Sequence, residues 1–143
     1  MKVTVNGFGV EVPQGTSLFK AVEATHFTVP TYCNPNEEKM HPARCGMCGL
    51  FVNRRFVQGC LAQPVKEGDE IQTLNATLAH HRGEVAYAAW CEHFGYDAHT
   101  NTYARTCGDC MGSDPQSCNF MQTFRPWYRL RALLEKGQRT GAL

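Results

Sequence analysis

The sequence lacks the signals of the common enzyme classes. It contains no phosphate-binding loop, no G-x-G-x-x-G dinucleotide motif and no nucleophile paired with a base. It has no apolar run long enough to cross a bilayer, no internal repeat and no low-complexity tract. No apolar leader stands before the alternating residues Met1–Val5, so we expect a cytosolic, reducing compartment. These absences favour a protein that does not transform a substrate by itself.

The chain also lacks a strong overall charge, since its net charge is only +1. Residues 1–118 carry nine Lys/Arg and twelve Asp/Glu, whereas residues 119–143 carry five Lys/Arg and one Asp/Glu. The basic part is therefore a short tail. Such a tail fits an acidic patch on a protein partner better than it fits nucleic acid.

Cysteine is the residue that the chain has in excess, with eight in total. In a reducing compartment so many thiols favour metal binding, with four disulfides in an exported protein as the alternative. Four of them form the pattern C-x11-C-x2-C-x11-C: Cys33, Cys45, Cys48 and Cys60. Four thiolates suit a 2Fe–2S core. A zinc site is the alternative, but zinc sites usually present two close pairs of ligands, and this pattern has one.

The first residues predict a hairpin followed by a helix. Lys2–Val5 and Phe8–Val12 alternate apolar and polar residues around an Asn-Gly dipeptide, which is the strongest short signal for a hairpin. Thr16 or Ser17 then caps a helix whose apolar residues recur at helical spacing. A hairpin, a helix and then a cysteine-bearing loop is the opening order of a β-grasp fold, which belongs to the α+β class.

Three further strands are expected to complete this first module. Leu50–Val52 and Phe56–Val57 predict two short strands around a turn, and Ile71–Leu74 predicts the last one. We therefore expect residues 1–76 to form a β-grasp domain and residues 77–143 to form a second segment.

The second segment is expected to be small, helical and rich in cysteine. One helix is predicted from Ala76 to Phe94, and a final one begins near Asn119. Pro126 is expected to kink the final helix or to divide it into two short helices, and Gly137 and Gly141 to end it. The loop between the helices carries three cysteines: Cys107, Cys110 and Cys118.

The adjacent histidines His80 and His81 point about 100° apart on a helix, so they cannot grip one metal together. We interpret both as surface or helix-end residues.

The stretch Tyr32–Thr73 resembles a known 2Fe–2S module in its loop 43–48 (A-R-C-G-M-C), in Gly59-Cys60 and in residues 64–68 (P-V-K-E-G). It is similar to the N-terminal module of the large iron–sulfur subunit of complex I, of small subunits of NAD-reducing hydrogenases and of FeFe-hydrogenases. The spacing of the last two cysteines also resembles the iron–sulfur subunit of succinate dehydrogenase and fumarate reductase. The resemblance implies a 2Fe–2S cluster held by the early cysteines: Cys33, Cys45, Cys48 and Cys60.

In the complex I and hydrogenase proteins, a helix and a 4Fe–4S site of the form H-x3-C-x2-C-x5-C follow this module. Cys107, Cys110 and Cys118 are similar to the cysteine part of that site, which implies a second, 4Fe–4S cluster. Two departures are present. The last spacing is seven residues, and Tyr103 stands where the family has its histidine ligand.

The fourth ligand of the second site must therefore come from another residue. Cys91 is the first candidate because it would complete a set of four thiolates. His99 and His93 are the alternatives, since a neutral imidazole can bind a metal. Zinc is the alternative metal at this site.

Together these features predict an iron–sulfur electron-transfer protein, with no catalytic residues of its own. We expect a small subunit of a cytoplasmic oxidoreductase complex that relays single electrons to larger redox subunits. A complex that lies at a membrane surface is compatible with this expectation. One alternative is a carrier with one cluster, whose second half is a zinc-containing docking module. The other is a redox-sensing regulator whose basic tail binds nucleic acid, in which case its binding must depend on salt.

Overall fold

A computed structural model of the protein describes residues 1–32, 46–110 and 116–140. The predicted ligands Cys33 and Cys45 lie outside the described residues, as does Gly141. The chain divides into two compact units, Met1–His81 and Arg82–Leu143. The predicted domain boundary at residue 76 stays a prediction.

Five strands of the first unit form one mixed sheet within the described residues, in the order β2-β1-β5-β3-β4. β1 pairs with β5 in parallel, and every other pairing in this sheet is antiparallel. The strands are β1 (Lys2–Val5), β2 (Phe8–Glu11), β3 (Gly49–Val52), β4 (Arg55–Gln58) and β5 (Glu70–Gln72). The first hairpin, the second hairpin and the last strand were all predicted, and their bounds differ from the expected ones by at most two residues.

Both hairpins turn through residues in the left-handed region of the backbone. Asn6 and Gly7 have φ values of 52° and 87°, and Asn53 and Arg54 have 51° and 66°. Two-residue hairpin turns of this kind need positive φ at both positions, which Asn and Gly adopt with least cost. At the second turn the Asn53 side chain donates to Asp69 Oδ1 at 2.9 Å, which helps to hold the less suited Arg54 in place.

Helix α1 (Leu18–Glu23) packs one face on this sheet. Ser17 is its N-cap, because its hydroxyl oxygen accepts from the N–H of Lys20 at 3.2 Å. The Thr16 hydroxyl instead donates to the carbonyl of Pro13. The residues buried between helix and sheet form the core: Val3, Val5, Val12, Leu18, Ala21, Val22, Leu50, Val65 and Ile71.

The α+β class is confirmed. A hairpin, a helix, a second hairpin and a strand that returns to lie beside β1 is the arrangement that the β-grasp prediction requires.

The second unit contains the larger part of α2 (Ala76–Phe94), a small hairpin and α3 (Asn119–Thr140). The bounds of α2 are those predicted. The hairpin, β6 (Tyr96–Asp97) with β7 (Thr102–Tyr103), was not predicted, because strands of two residues leave no alternating pattern. No helix among the described residues meets the length and hydropathy that crossing a membrane requires.

Of the two outcomes expected at Pro126, the division into two helices is wrong, since α3 continues through Pro126 to Thr140. The kink stays a prediction. Gly137 likewise does not end the helix. Packing on both sides of the proline explains this result. Phe124 is buried, and the ring of Tyr128 stacks on Trp90 with centroids 4.4 Å apart. These contacts hold the helix on each side of the missing backbone N–H.

Helices α2 and α3 run antiparallel in the second unit. Arg131 Nε donates to Glu84 at 2.9 Å and its guanidinium lies 4.0 Å from the centroid of the Tyr87 ring. Eleven residues before Arg131 in α3, Phe120 stacks on His93 of α2, with ring centroids 3.8 Å apart. Ion pairing, cation–π contact and aromatic stacking therefore join the two helices along their length.

The first core gives a direct test of this packing. Ile71 is 1% exposed on the strand that lies between β1 and β3, so Ile71→Ala should lower the free energy of unfolding by about 2–5 kcal/mol. Leu74→Ala, at a residue 57% exposed, should change it by only about 0.5 kcal/mol. Urea unfolding followed by circular dichroism measures both. Equal effects of the two substitutions would contradict this account of the core.

Candidate iron–sulfur site

The β3–β4 hairpin brings Cys48 and Cys60 to the same end of the sheet. Cys48 directly precedes β3, and Cys60 lies in the 3-10 turn Gly59–Leu61 directly after β4. Gly49 is opposite Gln58 in the antiparallel register, and the next residue pair is joined by a bond from the Gly59 N–H to the Cys48 carbonyl at 2.9 Å. Two of the predicted ligands, Cys48 and Cys60, are therefore held close to each other by the hydrogen-bonded ends of β3 and β4.

The two cysteines differ in exposure and in their partners. Cys48 is 1% exposed, whereas Cys60 is half-buried. The side-chain amide of Gln58 donates to Sγ of Cys60 at 3.5 Å. An N–H donor to a thiolate stabilises its negative charge and is one of the means by which proteins tune iron–sulfur potentials. No motif in the sequence marks a donor of this kind, so Gln58 was not among the predicted site residues.

Glycines let the backbone come close around these thiols. A Cβ on Gly59 would lie 2.8 Å from the carbonyl oxygen of Cys48, closer than real Cβ atoms approach another atom. Gly46 has a φ of 69°, in the region that side chains disfavour. The thiol donors and this glycine-lined backbone fit a 2Fe–2S cluster, which binds through thiolates and accepts bonds from nearby N–H groups. The remaining two predicted ligands, Cys33 and Cys45, lie outside the described residues.

His81 belongs to this region, so its interpretation as a surface or helix-end residue is wrong. Its side chain is half-buried, Nε2 lies 2.8 Å from the carbonyl oxygen of Gly46, and its ring meets the edge of Phe56. His80 is exposed, as expected. The contact joins residues 35 positions apart, and no local pattern in the sequence marks it.

The three cysteines of the predicted second site lie on short local structures. Cys107 begins a 3-10 turn in which Thr106 and Asp109 cap each other, and the Cys110 N–H donates to the Cys107 carbonyl. Cys118 precedes α3 and its carbonyl accepts from the N–H of Gln122. Among residues 1–32, 46–110 and 116–140, no group of three or more His, Cys, Asp or Glu side chains lies close enough to hold a metal ion. The second cluster therefore stays a prediction.

Cys91 lies on α2 and interacts with the side chains of Tyr87 and Tyr103. A hydrogen bond with Cys91 raises the pKa of Tyr87 above its ordinary value. The pKa of Tyr103 is raised strongly, first by a hydrogen bond with Tyr128 and then by burial, with a smaller contribution from the charge of Cys91. The Cys91 thiol is thus within electrostatic range of Tyr103.

The two histidine alternatives have different surroundings. His93 stacks on Phe120, and burial followed by the charge of Arg105 lowers the pKa of His93. The lowered pKa of His93 favours the neutral imidazole, which is the form that binds a metal. His99 is exposed in the β6–β7 turn, where its backbone N–H donates to Asp97.

Comparisons with known proteins agree with the geometry of the first unit. Residues 1–76 match the family described as 2Fe-2S iron-sulfur cluster binding domain. The mitochondrial NADH-ubiquinone oxidoreductase 78 kDa subunit of Candida albicans is 32% identical over 75 residues. The match covers 51% of this chain and 10% of that protein, so the chain spans only a small part of the length of the relative that it matches.

The contact between Gly59 and Cys48 predicts the effect of one added methyl group. Gly59→Ala places a Cβ against a backbone oxygen that cannot move without breaking the β3–β4 pairing, so it should destabilise the site by about 1–3 kcal/mol. We expect less 2Fe–2S absorbance per chain and faster bleaching in air. Gly9→Ala is the matched control, because its Cβ would meet only the end of the flexible Lys2 side chain. Equal cluster content in Gly59→Ala and wild type would contradict this role of Gly59.

Proposed function

The chain belongs to the 2Fe-2S iron-sulfur cluster binding domain family, and we propose that it is an electron-transfer protein whose cluster is held by a set of four thiolates. The proposed ligands are Cys33, Cys45, Cys48 and Cys60. The observation that carries the proposal is the hydrogen-bonded end of the β3–β4 hairpin, which holds Cys48 and Cys60 at the same end of the sheet.

The cluster, when bound, supplies reversible one-electron chemistry. The chain's own residues determine how the site meets its surroundings. Cys48 is buried beside Met47 in the interior, which keeps water from that side. Cys60 is the more exposed of the two described ligands, so a partner's redox centre can approach more closely at Cys60 than at Cys48. Electron transfer needs no further side chain, which agrees with a subunit that is not itself catalytic.

A role as a small subunit of an oxidoreductase complex is supported by two features. The Candida albicans relative is itself a subunit of an NADH-ubiquinone oxidoreductase. The last helix also leaves Leu130, Leu133 and Leu134 exposed next to basic residues, and Leu133 is 65% exposed. Apolar side chains rimmed by charge are typical of protein interaction surfaces. We propose a larger redox subunit as the partner.

A cytoplasmic location is supported by the chemistry of the cysteines. The two proposed metal sites together use all eight cysteines of the chain as thiolates. Thiols that stay reduced and bind metal are typical of reducing compartments.

We propose a 4Fe–4S cluster at the second site, with zinc as the alternative occupant. The proposed ligands are Cys91, Cys107, Cys110 and Cys118. The cysteine spacing supports this site, as does the position of Cys91 in the same unit of the chain as the other three cysteines. Metal binding there must draw the short segments that carry these cysteines closer together, because the described residues contain no ready metal-binding group.

Metal analysis and EPR of anaerobically purified protein test the proposed function. With both clusters present we expect about six irons per chain and two distinct signals in the reduced state. About two irons with about one zinc would instead support a one-cluster carrier with a zinc module. Colourless protein without iron would contradict the electron-transfer proposal.

The fourth ligand of the second site has its own test. Cys91→Ala should remove the 4Fe–4S signal and lower the iron content to about two per chain, with the 2Fe–2S signal retained. His80→Ala, at an exposed residue of the same helix, serves as the control and should keep both signals. Circular dichroism of both variants checks the helices. Retention of both EPR signals in Cys91→Ala would show that Cys91 is not a ligand.

A further inference from the structure

His81 lies against the loop that carries two of the proposed ligands. Its Nε2 is 2.8 Å from the carbonyl oxygen of Gly46, which stands between Cys45 and Cys48 in the chain. A carbonyl oxygen only accepts hydrogen bonds, so Nε2 carries a proton and donates it. The imidazole is therefore a fixed donor to the backbone of the ligand loop.

The ring of His81 is held in place from several sides. It meets Phe56 edge-on, with centroids 5.0 Å apart and planes at 69°. Gly49 leaves room for both rings, because a Cβ there would lie 3.2 Å from Cδ2 of His81 and 2.7 Å from Cε2 of Phe56. The helix that carries the ring is also anchored: Leu78, one turn earlier, is fully buried, and its N–H donates to Asn75 Oδ1 at 2.8 Å.

The bond to Gly46 fixes the orientation of one peptide group. In a trans peptide the C=O of Gly46 and the N–H of Met47 point in opposite directions. With its C=O held by His81, this peptide turns the Met47 N–H away from α2. Gly46 adopts a φ of 69°, which lets the loop take this orientation without a Cβ clash. His81 thus selects the direction of an N–H that lies one residue before Cys48.

We propose that His81 is a positioning residue that sets the reduction potential of the 2Fe–2S cluster through this peptide. The inference rests on the proposed function, in which Cys45 and Cys48 are ligands. N–H groups directed at a thiolate-bound cluster stabilise its more negative, reduced form and so raise the potential. Without the bond from His81 the peptide is free to rotate, and the potential falls.

The test compares two donor-free variants with a variant that can still donate. His81→Leu and His81→Phe remove the N–H, and Phe keeps an aromatic ring beside Phe56. His81→Gln retains a side-chain N–H. His80→Leu is the matched control, because His80 is the exposed neighbour on the same helix. The measurement is an EPR-monitored redox titration of anaerobically purified protein, with iron content determined on the same samples.

We expect His81→Leu and His81→Phe to retain the cluster. Their equilibrium constant for reduction should be about tenfold lower than that of wild type, which lowers the one-electron reduction potential by about 59 mV. His81→Gln should lie closer to wild type, and His80→Leu should equal it. If wild type holds the cluster and the potential is unchanged in both donor-free variants, or shifts equally in His80→Leu, the role of His81 is overturned while the proposed function stands. If wild type holds no 2Fe–2S cluster, both are overturned.

Discussion

The hydrogen bond from the Gly59 N–H to the Cys48 carbonyl is the contact on which the site depends. It extends the β3–β4 pairing by one residue, so that the strand ends and the two cysteines cannot separate while the sheet is intact. The same closeness requires glycine at position 59, since any Cβ would strike that carbonyl. The sheet core built by Leu50 and Ile71 therefore supports the site as well as the fold.

The second unit has a different physical basis. Its helices are joined by stacked rings and by Arg131, which binds both Glu84 and Glu135. Its loop cysteines are placed by local bonds, such as the mutual capping of Thr106 and Asp109. Local bonds of this kind restrain each short segment without fixing its distance from the others. Strand pairing therefore fixes the distance between two of the ligands proposed for the first site. Within the described part of the chain, the cysteines proposed for the second site have no such pairing between them.

The sequence predicted those parts of the fold that local chemistry determines. The dipeptide Asn6-Gly7 predicted a turn with positive φ, which the structure contains. The apolar spacing within 76–94 predicted the bounds of α2. Prediction failed where contacts between residues far apart in the sequence determine the structure. Pro126 stays within α3 because packing against α2 supports the helix on both sides, and His81 reaches Gly46 through the fold rather than along the chain. Within the site, cysteine spacing identified the candidate ligands, but not the donors around them.

X-ray absorption at the iron edge tests the central claim most directly, because it reports the atoms bound to iron. The comparison needs anaerobically purified wild type and Cys60→Ser. The account predicts a first shell of sulfur alone in wild type, and an oxygen or nitrogen neighbour or the loss of iron from this site in the variant. Identical spectra for the two proteins, or a wild-type shell without sulfur, would contradict it.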